Sequence, residues 1–423
     1  MNIWVVRDLE PIPGDPGDRR LLRTHMLCRA LVARGHSVTW YTSSFDHYFK
    51  RQRASRDDRI EVGPGFAIEV LACRGYASNV SLSRILHNRQ FARRFRQRFL
   101  AAPDRPDMLV TDIPTTETAA TVVALGRSGG IPTVLSVRDT WPDSFPDLLP
   151  RPVRPLAAPF ISVLARQARF ALRHATALVG ISDQYLDWAL ARAGRSQGPL
   201  DAIVPLGYLP VELSASDAAE LRANLGLAEP LFTVAFTGSW GHSADLSLVA
   251  AVAEACLSRP DIRFVIGGNP EGNPAMAARL RKLPNVRLLG WLGDRQIAAV
   301  LGEAGLGLLP YRTHAPQGLP NKAFEYFAYG TFQLSSLGGE LQRFYRKTGA
   351  GEVVEPPTAS AFTETILAHA DGWRARPDRE RLRTAFAEHY AAHHVYAGFA
   401  GHIETVARSS LPSRAVGATV EAP

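Results

Sequence analysis

A chain of 423 residues is too long for one simple core, so two domains are expected, and 46% hydrophobic with 21% charged residues is a soluble globular composition. Cys28, Cys73 and Cys256 are scattered, with no CxxC and no neighbouring His cluster; they read as buried small hydrophobes in a reducing compartment, and no metal site is expected. The formal charge of +8 is uneven: residues 1–200 hold 28 Lys and Arg against 18 Asp and Glu, which leaves 20 against 22 for the remainder. The first half is therefore expected to face an anionic partner.

In chain order, NIWVV (2–6) reads as a buried strand, followed by a Pro/Gly/Asp loop and then a helical pattern that stops at Gly35. SVTWYTS (37–43), DMLVTD (107–112), PTVLSV (132–137), TALVGIS (176–182) and AIVPLG (202–207) are further strands, several separated by helical patterns. This alternation predicts a parallel sheet with helices on both faces. The rhythm restarts near Leu231 with LFTVAFTG, RFVIGG, NVRLLG and LGLLPY as strands. The boundary is expected around 205–230, giving an N-terminal domain 1–205 and a second domain 206–380. Helices over 381–410 would return to the first domain, and 411–423 would be a loose tail. No segment approaches the roughly 20 apolar residues of a membrane span, and MNIWVVRDLE is too short an apolar run for a signal peptide. A cytoplasmic protein is expected, with room for peripheral contact with a membrane.

The stretch QGLPNKAFEYFAYG (317–330) places Gln, Gly, Pro, Asn, Lys and Glu where a helix begins. Gly318 permits close backbone approach, and Pro320 suits the first turn of a helix whose free N–H groups attract a phosphate. Lys322 adds a positive charge, and Glu325 can accept two hydrogen bonds from a ribose diol. By itself the stretch reads equally as a helix cap.

With FTGSWG (236–241), RFVIGGNP (263–270), NVRLLGWL (285–292), GLGLLPY (305–311) and GGE (338–340) in order, the second half resembles the retaining GT-B glycosyltransferases of family 4. The first half matches more loosely, through ARGHSVTWYTS, SVRDTWPD and ALVGIS. The resemblance implies an α/β GT-B fold: two Rossmann-like doubly wound domains facing a central cleft, with a C-terminal helix crossing back. It also implies a nucleotide-sugar donor, retention of configuration, and neither metal nor other cofactor.

Carried over residue by residue, the donor contacts are Gly238, Ser239, Arg312, Gly318, Leu319, Pro320, Asn321 and Glu325. The candidates for the chemistry itself are Asp139, Gln317 and Lys322. The family has a Glu where Gln317 stands, and Arg and Lys soon after the glycine equivalent to Gly238, where this chain has SWGHSAD. Lys322, Arg312 and Arg19, and more weakly His242, are the replacement cations for the leaving diphosphate. Glu340 of GGE is a further donor-side candidate.

In the first half, PGDPGDRR (13–20) is not a dinucleotide-binding GxGxxG, yet the Gly14 and Gly17 turn can approach donor phosphates or the acceptor, with Asp18 and Arg19 beside it in the cleft. SVRDTWPDSF (136–145) would let Asp139 polarise an acceptor hydroxyl, Arg138 orient a phosphate or Asp139, and Trp141 stack on a sugar. Two basic amphipathic stretches, 84–100 with Phe91, Phe95 and Phe99 four apart, and 151–174, suit an anionic membrane interface or packing on their own domain. Nucleic acid is not an expected partner, since aromatics for base stacking are not evident. The expected function is sugar transfer to a glycan or lipid-linked acceptor. A nucleotide-sugar 2-epimerase and a non-catalytic binding module on the same scaffold are the alternatives.

Overall fold

The computed structural model describes residues 1–410 except 17–20, 80, 147–148, 150–151, 153, 242, 313–314, 316–317 and 374–377. The chain divides into two compact units. Unit 1 holds Met1–Asp15, Leu21–Pro205 and the C-terminal segment beginning at Val395, and unit 2 holds Leu206–His394.

Unit 1 runs β1 (Asn2–Val6), α1 (Arg23–Ala33), β2 (Ser37–Ser43), β3 (Phe45–Asp46), β4 (Arg51–Gln52), β5 (Asp58–Gly63), β6 (Phe66–Leu71), α2 (Leu82–Ala101), β7 (Met108–Ile113), α3 (Thr116–Gly129), β8 (Thr133–Val137), α4 (Arg154–His174), β9 (Ala177–Gly180), α5 (Asp183–Ala193) and β10 (Ala202–Ile203). Its sheet has the order β10-β9-β8-β7-β1-β2-β6-β5. All pairings in it are parallel except β5 with β6. The central strands β7 and β8 are buried throughout, which is why they read as unbroken apolar runs rather than alternating ones. The β5–β6 hairpin was not anticipated, although DRIEVGPGFAIEVL alternates around a Gly-Pro-Gly turn.

The phenylalanine stripe of α2 faces inward. Phe91, Phe95 and Phe99 are buried against Trp4 and Tyr41, with ring centroids 5.2 Å apart for Tyr41–Phe95 and 5.8 Å for Trp4–Phe99. These rings are core, so they are not available to a membrane; what α2 exposes includes Arg89, Arg93, Arg96 and Arg98 together with Leu82, Leu86, Gln97 and Leu100.

Unit 2 runs α6 (Ala215–Asn224), β11 (Phe232–Phe236), α7 (Leu246–Ala255), β12 (Ile262–Gly267), α8 (Pro274–Arg281), β13 (Val286–Gly290), α9 (Asp294–Leu301), β14 (Leu306–Leu309), α10 (Asn321–Ala328), β15 (Gln333–Ser335), α11 (Glu340–Thr348), β16 (Gly351–Val353), α12 (Ala359–Ala370) and α13 (Asp378–His389). A last helix, α14 (Ala392–Ser410), passes from unit 2 into unit 1 at Val395, so α13 stays with unit 2 rather than returning from 381. The unit 2 sheet has the order β13-β12-β11-β14-β15-β16 with every pairing parallel. Strand order reverses between β11 and β14. In doubly wound sheets the loops leaving the strand ends part at such a point and leave a crevice for ligands. Among the described residues no helix is long and apolar enough to cross a membrane.

Candidate active site

At the reversal point of unit 2 the chain leaves β11 through Thr237 and Gly238. Thr237 donates its amide to the Tyr326 hydroxyl at 2.8 Å and its own hydroxyl to Glu325 Oε1 at 3.3 Å. These two bonds tie the end of β11 to α10, the helix that follows β14. Gly238 has φ +133°, and a Cβ there would lie 2.1 Å from Lys322 Cε and 2.3 Å from Nζ. Lys322 is thus folded over the glycine backbone: a Cβ would push its flexible end aside, and the positive φ itself favours glycine. Its ammonium lies 4.2 Å from the Phe236 ring centroid. Burial pulls the Lys322 pKa down to about 8, with Glu325 acting in the opposite direction. Gly268, at the end of β12 with φ +146°, touches the same turn: a Cβ on it would meet the Gly238 carbonyl oxygen at 2.2 Å and Trp240 Nε1 at 2.5 Å.

Helix α10 begins directly beside this turn. Pro320 is its cap rather than a first-turn residue, with ψ 147° and a carbonyl that accepts the Ala323 amide at 3.0 Å. The following amides, of Asn321 and Lys322, stand in the first turn, where an α-helix supplies no acceptor of its own. Leu319 is buried, Gly318 half-buried and Asn321 exposed. Glu325 is buried on the inner side of α10.

Ser239 is exposed. Arg312 is exposed and lines a cavity of about 240 Å³ with Trp240, Gly241 and Met276; neither Gly238 nor Lys322 lines it. Glu340 opens α11 behind Gly339 (φ +64°), is buried, and accepts from Arg343 at 2.5 Å. Gln317 and His242 lie outside the described residues, as do Gly17, Asp18 and Arg19. Among the described residues no three His, Cys, Asp or Glu side chains are grouped so as to hold a metal.

In unit 1, Arg138 and Asp139 follow β8. The ion pairs of the Arg138 guanidinium go to other carboxylates than its neighbour's: it pairs with Glu10 at 3.4 Å and, closely, with Asp112. Arg7 pairs with the same two carboxylates, at 2.6 and 3.0 Å. Glu10 also accepts the Thr24 amide at 2.8 Å. Burial by itself would raise the Glu10 carboxyl, but Arg7 and Arg138 outweigh it and hold it below its ordinary value. The cluster stands where unit 1's strand order reverses, between β1 and β7. Its components come from loops and strands over a hundred residues apart, which is why the sequence paired Arg138 with its neighbour instead.

Asp139 is left without that partner, and burial pushes its carboxyl up to about 6. Trp141 is half-buried, with the Arg84 guanidinium 5.0 Å from its ring centroid and Phe145 edge-on at 5.0 Å.

Residues 22–207 match the family described as a glycosyl transferase 4-like domain, and residues 232–371 match the glycosyl transferases group 1. The backbone is similar to HepE of Anabaena, solved with UDP-glucose, at TM-score 0.66 and 13% identity, over 96% of this chain and 100% of that one. It is similar to the sucrose-phosphate synthase of Thermosynechococcus elongatus at TM-score 0.69 and 17% identity, over 96% and 99%. A UDP-forming trehalose-phosphate synthase of Burkholderia xenovorans gives 0.65 and 13%, over 96% and 99%. This chain is a GT-B glycosyltransferase. No curated protein matches the transferase in sequence.

Several residues of the transferase's site escaped the sequence reading. Gly268 stood inside a quoted motif without a role, and Thr237 and Tyr326 flank recognised positions. Glu10 and Asp112 carried no signal beyond lying near strand ends. Removing Arg138 leaves the two buried carboxylates with Arg7 as their one ion-pair partner within 4.0 Å among the described residues. Arg138→Met is therefore expected to destabilise the protein by about 3 kcal/mol, read from the denaturant midpoint of unfolding.

Proposed function

We propose that the protein transfers a sugar, with retention of configuration, from a nucleotide sugar to a hydroxyl of a glycan or lipid-linked acceptor in polysaccharide or glycoconjugate synthesis. One observation carries this reading: an ammonium folded over a glycine turn, beside the open first turn of α10, where the strand order of unit 2 reverses. That combination of a cation, a close-approach backbone and free amides suits a diphosphate. The UDP and UDP-glucose carried by the Anabaena fold relative support a nucleotide sugar as its owner.

In this reading Gly238, Ser239, Pro320, Asn321 and Lys322 hold the diphosphate, with Gly318 and Leu319 beside it. Glu325 holds the ribose and Gln317 the donor sugar. The bond from the sugar's anomeric carbon to the phosphate oxygen breaks, and a bond to the acceptor oxygen forms on the same face. The acceptor proton passes to the departing phosphate, so no protein base is needed, and Lys322 with the first-turn amides takes the leaving charge in place of a metal. Asp139 and Trp141 serve the acceptor from unit 1, while Arg138 only braces that region; Gly17, Asp18 and Arg19 are further acceptor-side residues. A thermal-shift panel of UDP-, GDP- and other nucleotide sugars tests the donor assignment. At least one is expected to raise the melting temperature saturably, by mass action; no shift with any of them removes the assignment. Product analysis without acceptor separates transfer from epimerisation.

Peripheral attachment to an anionic membrane is part of the proposal, now resting on arginines and on α4 rather than on the α2 phenylalanines. Leu156 near the start of α4 is 82% exposed, and Arg89 of α2 stacks on Phe160 of α4 at 5.7 Å. Replacing Arg89, Arg93 and Arg96 by Gln together with Leu156→Asp is expected to lower sedimentation with anionic vesicles several-fold. Equal sedimentation of both proteins would mean that these helices only pack on their own unit.

A further inference from the structure

A cavity of about 490 Å³ opens at the edge of the unit 2 sheet where β11, β12 and β13 begin, with Leu231, Ile262, Arg263, Asn285 and Arg287 on its wall. It is at the opposite end of these strands from the Gly238 turn. At about 3.3 Å per residue, the length of β12 puts roughly 17–20 Å between them. Cavities of about 300–1,000 Å³ take small organic ligands.

The charge at this wall is unbalanced. Arg259 is neutralised by Asp261 and Asp371 at 2.8 and 2.9 Å, and Arg222 nearby by Glu303 at 3.0 Å. Arg263 is only 7% exposed, yet its hydrogen bonds go to neutral groups: the Thr233 hydroxyl at 3.1 Å and the Glu229 carbonyl at 3.3 Å. Its Nε is buried without a partner. Among the described residues no carboxylate comes within 4.0 Å of the Arg263 or Arg287 guanidinium. A buried guanidinium with no anion in contact is costly, and burial pulls the Arg263 pKa below the ordinary arginine value. Glu229, which also lines the cavity, offsets this only from beyond ion-pair distance, while Arg287 and Arg222 add to it. Asn285 adds an unmet need of the other kind. Its amide nitrogen donates to the Ala253 carbonyl at 2.8 Å, which fixes the side chain, while Oδ1 is buried with no donor.

We propose that this cavity binds a phosphate monoester bearing hydroxyl groups, of the size of a sugar phosphate. Two unpaired guanidinium groups match a phosphate dianion, the Asn285 oxygen accepts from a ligand hydroxyl, and Leu231 and Ile262 floor the carbon skeleton. The site is separate from the donor crevice and does not depend on the proposed donor.

The test is calorimetry on the full chain with glucose 6-phosphate as probe, repeated with UDP present at saturation. The probe is expected to bind the unaltered protein with or without UDP. Arg287→Ala, at an exposed position, is expected to weaken it about tenfold or more while leaving UDP affinity unchanged. Arg263→Met is expected to abolish it, and Asn285→Asp to weaken it by placing a carboxylate beside the phosphate. Absence of probe binding to the unaltered protein overturns the proposal. So does equal binding to Arg287→Ala, or loss of binding when UDP is present, since either result puts the probe elsewhere.

Discussion

Lys322→Met is expected to lower turnover by about 10²-fold or more and to weaken binding of nucleoside diphosphate, because it removes the cation folded over the Gly238 turn. The pH dependence carries the sharper signature. Burial holds the free lysine at about 8, against an ordinary value of 10.5. A bound diphosphate favours the charged form, so binding above pH 8 takes up a proton and affinity falls as pH climbs further. Calorimetry at pH 8.5 in buffers of different ionisation enthalpy reads that uptake directly, and Lys322→Met should show none. Stability has its own sign. Between about 8 and 10.5 the unfolded chain binds more protons at this residue than the native protein does, so native stability should rise with pH across that window. Lys322→Met loses that increment. Proton uptake by the variant equal to that of the unaltered protein would assign it to another group.

The second large effect is expected at Glu325. Glu325→Ala should weaken UDP by roughly 10–100-fold, the order expected when a charged acceptor of two hydrogen bonds is lost. It also removes the acceptor of the Thr237 hydroxyl, which joins β11 to α10. A variant that keeps this tie separates the two losses. Glu325→Gln can still accept from Thr237, so it should fold as the unaltered protein does and still bind UDP more weakly. Unchanged UDP affinity in both variants would sink the ribose assignment.

The strands were legible where the chain is buried on both faces. VV of β1, MLVTD within β7 and TVLSV of β8 had no solvent side to interrupt them, so an apolar run sufficed. Helix α10 was legible because glycine, proline and a short apolar stripe act on immediate neighbours. The α2 stripe was legible as a helix face and silent about its destination. Four-residue spacing is the same whether phenylalanines meet Trp4 and Tyr41 or a lipid surface. The fold supplied the answer, because only it places β1 and β2 under that face.

The amino-acid sequence by itself determined the alternation of strand and helix, the restart after residue 205, and the glycine, lysine and carboxylate types available to a diphosphate and ribose. These depend on residues close in the chain, where spacing is a sufficient guide. Tertiary structure alone decided that Lys322 lies on Gly238, that Arg138 serves Glu10 and Asp112 and leaves Asp139 without its neighbour's pairing, and that Arg263 is buried with its Nε unpartnered. Pairing, burial and pKa are set by distance and desolvation among atoms that chain order does not bring together.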